Sequence, residues 1–130
     1  MKLQGFKTWN GSLSVEAEWS HKEPGESVGL SVRISSGVAR YTLGPLDALG
    51  LTRLRDVFLS DGDGPVEVPS SDRNNEYKVE VCTRKTDGSL SVMITDVNGE
   101  FEIRLPEGER RDLAGCFDSW AETFLRRGRG

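Results

Sequence analysis

The chain repeats itself. Leu30-Ser31-Val32-Arg33-Ile34 returns sixty positions later as Leu90-Ser91-Val92-Met93-Ile94. An alternating segment precedes each copy, Val15-Glu16-Ala17-Glu18 in one case and Val79-Glu80-Val81-Cys82 in the other. A further strand and an apolar helical stretch follow, ending at Phe58-Leu59 or Phe124-Leu125. A unit of three strands and a helix, written twice, restricts the fold severely, because each copy has an apolar face that the other can bury.

The first strand is predicted over Leu13–Trp19, where Leu13, Val15, Ala17 and Trp19 alternate with Ser14, Glu16 and Glu18; a period of two leaves one face buried and one wet. Val28–Ser35 and Val38–Leu43 follow, hinged at Ser36-Gly37, and Gly44-Pro45 is expected to end the third strand. From Leu46 to Ser60 the apolar positions Leu51, Leu54, Val57 and Phe58 fall three and four apart, which lines one side of a helix, with Gly50 weakening its start. In the second copy the strands are Tyr77–Arg84, Leu90–Asp96 and Glu100–Leu105, turning at Asp87-Gly88 and Asn98-Gly99. Leu113, Ala114, Phe117, Trp120, Ala121, Phe124 and Leu125 then form a broad helical stripe. The expected class is α+β: a duplicated β-β-β-α unit, its antiparallel strands joined edge to edge, with both helices packed on one face.

The 130 residues are sufficient to bury roughly two-thirds of the unfolded surface. We expect one domain of two repeats, about 12–60 and 76–127, joined by an acidic linker at 61–75 with a short extended piece at Val66–Val68. No apolar run approaches the roughly 20 residues that span a bilayer. Met1 to Lys7 carries no secretory pattern, so a cytoplasmic setting is expected. In that setting Cys82 and Cys116 are expected as free, buried thiols. Net charge is −4, and Arg126, Arg127 and Arg129 supply three of the positive charges, leaving −7 for the remainder. An acidic body repels phosphate backbones and suits a basic protein partner.

Catalytic and metal groupings are poorly represented. Asp61-Gly62-Asp63-Gly64 suggests a calcium loop, but Pro65, Val66 and Asp72 stand where a ligand, a glycine and a bidentate glutamate are needed. His21 is the sole histidine, so no two-histidine metal site can form. Glu16 with Glu18, and Glu100 with Glu102, share a strand face as acid–base pairs do, but exposed strand acids account for them. Trp19 and Trp120 fall on apolar phases and are assigned to the core, whereas Phe6 and Trp9 are less constrained. No cofactor, metal or enzymatic activity is expected. The candidate binding residues are the acids of the exposed sheet face, Glu16, Glu18 and Glu80, and those of the linker region, Asp61, Asp63, Glu67, Asp72 and Glu76. An open sheet edge also invites pairing, most often as a symmetric homodimer.

The strand-strand-strand-helix order over Ser12–Leu125, with Tyr41-Thr42-Leu43-Gly44-Pro45 leading into a leucine-rich helix, resembles the WapI-like immunity proteins of bacterial polymorphic toxin systems and related uncharacterised actinobacterial families. That group's acidic-proline-cysteine turn is replaced here by Leu43-Gly44-Pro45. The resemblance implies a non-enzymatic protein that binds and blocks a toxin. The same order also resembles the Whirly class of single-strand nucleic-acid binders, which would imply a basic sheet, and the predicted strands are not lined with basic residues.

Overall fold

The computed structural model describes residues 3, 5–20, 29–60, 64–69, 79–97 and 99–129. Two antiparallel four-stranded meanders, each followed by a helix, make up an α+β molecule. The first sheet contains β1 (Phe6–Lys7), β2 (Leu13–Ser20), β3 (Gly29–Ser36) and β4 (Ala39–Leu46), and α1 (Ala48–Leu59) follows. The second contains β5 (Val66–Val68), β6 (Val79–Thr86), β7 (Ser89–Asp96) and β8 (Gly99–Pro106), then a 3-10 turn (Glu107–Glu109) and α2 (Arg110–Arg129). In both sheets the strand order follows the chain.

The duplication extends one strand further than the sequence reading. β1 pairs with β2 through Phe6↔Val15 and Lys7↔Ser14, and β5 pairs with β6 through Val66↔Val81 and Glu67↔Glu80. Each repeat is therefore β-β-β-β-α, and the Val66–Val68 piece is the edge strand of the second sheet. The helices match as well. Gly50, Leu51, Leu54, Val57 and Phe58 are buried on α1, and Leu113, Ala114, Phe117, Trp120 and Ala121, each sixty-three positions later, are buried on α2.

β4 is longer than the sequence suggests. Gly44-Pro45, a cis peptide, lies within the strand, and β4 ends only at Leu46. The register shifts here, from Val32↔Leu43 to Leu30↔Leu46. This bulge removes the proline, which has no N–H to give, from the ladder. Gly44 adopts φ +115°, and a Cβ there would stand 2.8 Å from the Leu30 carbonyl oxygen. Glycine is thus required on both conformational and spatial grounds.

The expected edge-to-edge sheet does not form: β1–β4 and β5–β8 remain two separate sheets. Side chains join the halves instead. Tyr41 of β4 stacks on Phe101 of β8 with ring centroids 5.5 Å apart, and its hydroxyl donates to Asp96 Oδ2. Each helix reaches across to the other repeat. Phe124 of α2 stacks on Trp19 of β2 at 5.9 Å, while the buried Thr83 of β6 places its hydroxyl 3.3 Å from the Val57 and Ser60 carbonyls at the end of α1. Phe58 and Phe117 meet between the helices at 5.3 Å. The inner faces of both sheets and both helices share one apolar core.

Tyr41 and Phe101 hold equivalent positions in their repeats, as do Arg55 and Asp118, and each pair is in mutual contact. A residue touches its own counterpart only where the operator relating the halves passes close by, so the molecule has an approximate two-fold axis through these two contacts.

Candidate functional site

With both inner faces occupied, the outer faces of the two sheets are the large surfaces on which alternate strand residues point away from the core. Strand pairing arranges these residues in rows across each sheet. On the second sheet one row reads Glu67, Glu80, Thr95, Glu100, from β5 to β8. The next reads Cys82, Met93, Glu102, and the third Arg84, Ser91, Arg104. The first row sets three carboxylates on one line, two of them directly opposed, and all three exposed. Like charges directly opposite one another destabilise a ladder. No ion pair joins Glu67, Glu80 or Glu100 to another described residue.

On the next row Glu102 is satisfied within the face. Glu102 Oε1 accepts from Arg104 Nε and from the Ser91 hydroxyl, each at 3.1 Å. The Arg104 guanidinium first, and then the Ser91 hydroxyl, hold the Glu102 carboxyl below its ordinary range.

The first sheet is arranged differently. Its rows read Lys7, Ser14, Ser35, Arg40; then Glu16, Arg33, Thr42; then Glu18, Ser31. Glu16 faces Arg33 directly across the ladder, an opposite-charge pairing. Lys7, Ser14 and Ser35, together with Gly5, Gly11 and Gly37, line a shallow hollow beside the edge strand. A second concave surface, between the helices, is lined by Arg55, Leu59, Arg110, Arg111 and Asp118, with the Arg55 to Asp118 ion pair (2.6 Å) beside it.

Of the residues singled out from the sequence, Glu16, Glu18 and Glu80 do stand exposed on outer faces. They fall on two different sheets, and Glu80 is joined by Glu67. Asp61, Asp63, Asp72 and Glu76, with His21, lie outside the described residues. Glu100, which completes the carboxylate row, and Lys7 and Arg40, which flank the opposite one, are absent from the sequence-derived set. Alternation along β8 carried the signal for Glu100, since Phe101, Ile103 and Leu105 take the inner phase, and the strand register then sets Glu100 beside Thr95. β1 is only two residues long, too short for periodicity to reveal Lys7.

Cys82 and Cys116 are both outside any disulfide and half-buried rather than fully enclosed. Cys82 belongs to the outer face of the second sheet, while burial pushes the Cys116 thiol up to about 11. A thiol protonated at neutral pH is a poor nucleophile. Among the described residues no three His, Cys, Asp or Glu side chains are grouped as metal ligands would be.

No family model matches the chain, and no curated protein matches it either. No helix among the described residues is long and apolar enough to cross a membrane.

Proposed function

We propose that this is a non-enzymatic protein-binding module, immunity- or antitoxin-like in mode of action, that neutralises a basic protein. One observation carries the reading: the uncompensated row Glu67, Glu80, Glu100 on an exposed sheet face. Three carboxylates held in line by backbone hydrogen bonds are preorganised for lysines and arginines. The repulsion among them in the free protein is relieved when a cationic surface arrives. Such complementarity speeds encounter and makes binding salt-sensitive. The outer faces present Glu, Lys, Arg, Ser, Thr, Cys and Met where a stacking platform for bases would present aromatic rings, which favours protein over single-stranded nucleic acid.

The test compares the native chain with the triple variant Glu67→Lys, Glu80→Lys, Glu100→Lys as immobilised baits in extract from the source cell. A basic protein retained by the native bait and not by the variant is expected. It should elute as salt rises from about 10 mM to about 1 M, a change that shortens the screening length from about 30 Å to about 3 Å. Co-expressed in a test host, that protein should arrest growth, and only the native chain should relieve the arrest. Retention of nucleic acid alone, or equal retention by both baits, overturns the proposal.

A further inference from the structure

The two outer faces carry opposite charges at equivalent positions. The register of the repeats places Lys7 where the second sheet has Glu67, Ser14 where it has Glu80, and Arg40 where it has Glu100. At the far end of the faces the signs exchange. Glu18, paired with Ser31, stands where Arg84, paired with Ser91, stands in the second repeat. Each face is thus electrically polarised along its strands, and the two polarisations run in opposite senses.

From this we infer that the chain associates with itself, the outer face of the first sheet of one copy lying on the outer face of the second sheet of the next. Sheets that stack with strands aligned to within about 30° lie about 10 Å apart. Laid so that charged row meets charged row, the strand orders run in opposite directions. β1 then lies over β8 and β4 over β5. Lys7 meets Glu100 and Arg40 meets Glu67. Glu18 comes down over Ser91 between Arg84 and Arg104. No ion pair joins Lys7, Arg40, Glu67, Glu80, Glu100 or Glu18 to another described residue of the same copy. A second copy fits this surface better than an arbitrary cationic protein, because its charges are spaced by the same strand separation of about 4.8 Å. The contact is heterologous, so each copy leaves one face of either kind free, and assembly proceeds beyond the dimer with concentration. This inference goes beyond the partner proposed above. It uses the same carboxylate row and requires no other protein, and a bound basic partner would compete with it.

Sedimentation velocity on the purified full-length chain decides the matter. At about 10 mM salt the average mass should climb with concentration to at least about twice the 14.4 kDa of one chain, and at about 1 M salt it should return to one chain. The variant Lys7→Glu, Arg40→Glu has two acidic rows, and the variant Glu67→Lys, Glu80→Lys, Glu100→Lys has two basic ones. Each should remain a single chain on its own, and mixing them should restore association. Should either reversed variant fail to unfold cooperatively, the neutral Lys7→Gln, Arg40→Gln and Glu67→Gln, Glu80→Gln, Glu100→Gln versions replace them, and both should weaken association. A native chain that remains a single copy at low salt overturns the inference. So does an assembly that survives high salt, or variants that associate as the native chain does. Because no partner is present, failure here leaves the partner proposal standing, and capture of a basic protein does not rescue self-association.

Discussion

Gly50, in the first turn of α1, and Gly115, in the interior of α2, are expected to respond oppositely to the same substitution. Alanine in place of a helical glycine ordinarily gains up to about 1 kcal/mol. At Gly50 the new methyl would lie 3.1 Å from the Pro69 carbonyl oxygen and 3.1 Å from Leu46 Cδ2, against backbone on one side and a buried leucine on the other. Overpacking costs about 1–3 kcal/mol, so Gly50→Ala should lower stability by about 1 kcal/mol net. At Gly115 nothing lies within 4 Å, and Gly115→Ala should raise the urea midpoint by the propensity gain alone. Tyr41 offers a second residue-scale test. Burial first, then the hydrogen bond to Asp96 and the charge of that carboxylate, raise its hydroxyl well above the ordinary 10.0. The folded chain therefore retains a proton that the unfolded chain releases. That contribution to stability is complete below about pH 10 and is lost progressively as pH rises beyond it. Subtracting the urea midpoints of Tyr41→Phe from those of the native chain at about pH 8 and about pH 10.5 should expose the loss as a shrinking difference.

At the level of elements, α1 starts at Asp47, whose side chain accepts from the Gly50 N–H at 3.0 Å. Asp47→Ala removes that cap and should cost about 1 kcal/mol in chemical unfolding, while Asp47→Asn should cost much less. The helices and six of the eight strands among the described residues are legible in the sequence because each has enough residues to display a period: eight residues in each long strand and the Leu51, Leu54, Val57, Phe58 spacing on α1. Val66–Val68 reads as extended but not as a pairing strand, and Phe6–Lys7 carries no strand signal, since an edge strand of two or three residues is defined by the ladder it joins. Gly44-Pro45 misled for a related reason. Glycine and proline do break strands as a rule, and only the bulge against Leu30 allows β4 to continue. Two of the three acids of the row are legible in the sequence, Glu80 from alternation and Glu67 as an acid of the linker. Its completion by Glu100 depends on cross-strand register, which composition does not record.

For the whole molecule, the crossing of each helix into the opposite repeat makes the halves interdependent. Trp19 needs Phe124, and the end of α1 needs Thr83. A repeat of about 60 residues buries only about 60% of its unfolded surface and is marginal even when self-contained. Fragments 1–63 and 64–130 should each lack a cooperative unfolding transition when separate, and should recover one, with native near-ultraviolet circular dichroism, when mixed. Phe117 lies at the centre of this arrangement, 5.3 Å from Phe58 and 5.6 Å from Trp120. Truncation to alanine there should cost about 3–5 kcal/mol, a large share of what a chain of this size has to lose.

The Arg55 to Asp118 contact has an implication for ancestry. On a two-fold axis every side chain confronts its own copy, so a half-length protein pairing with itself would have set arginine against arginine, or aspartate against aspartate, at this point. Once the two halves differ in sequence, the two sides of the axis can be specified independently. Opposite charges there are open to a duplicated and diverged chain and closed to a homodimer.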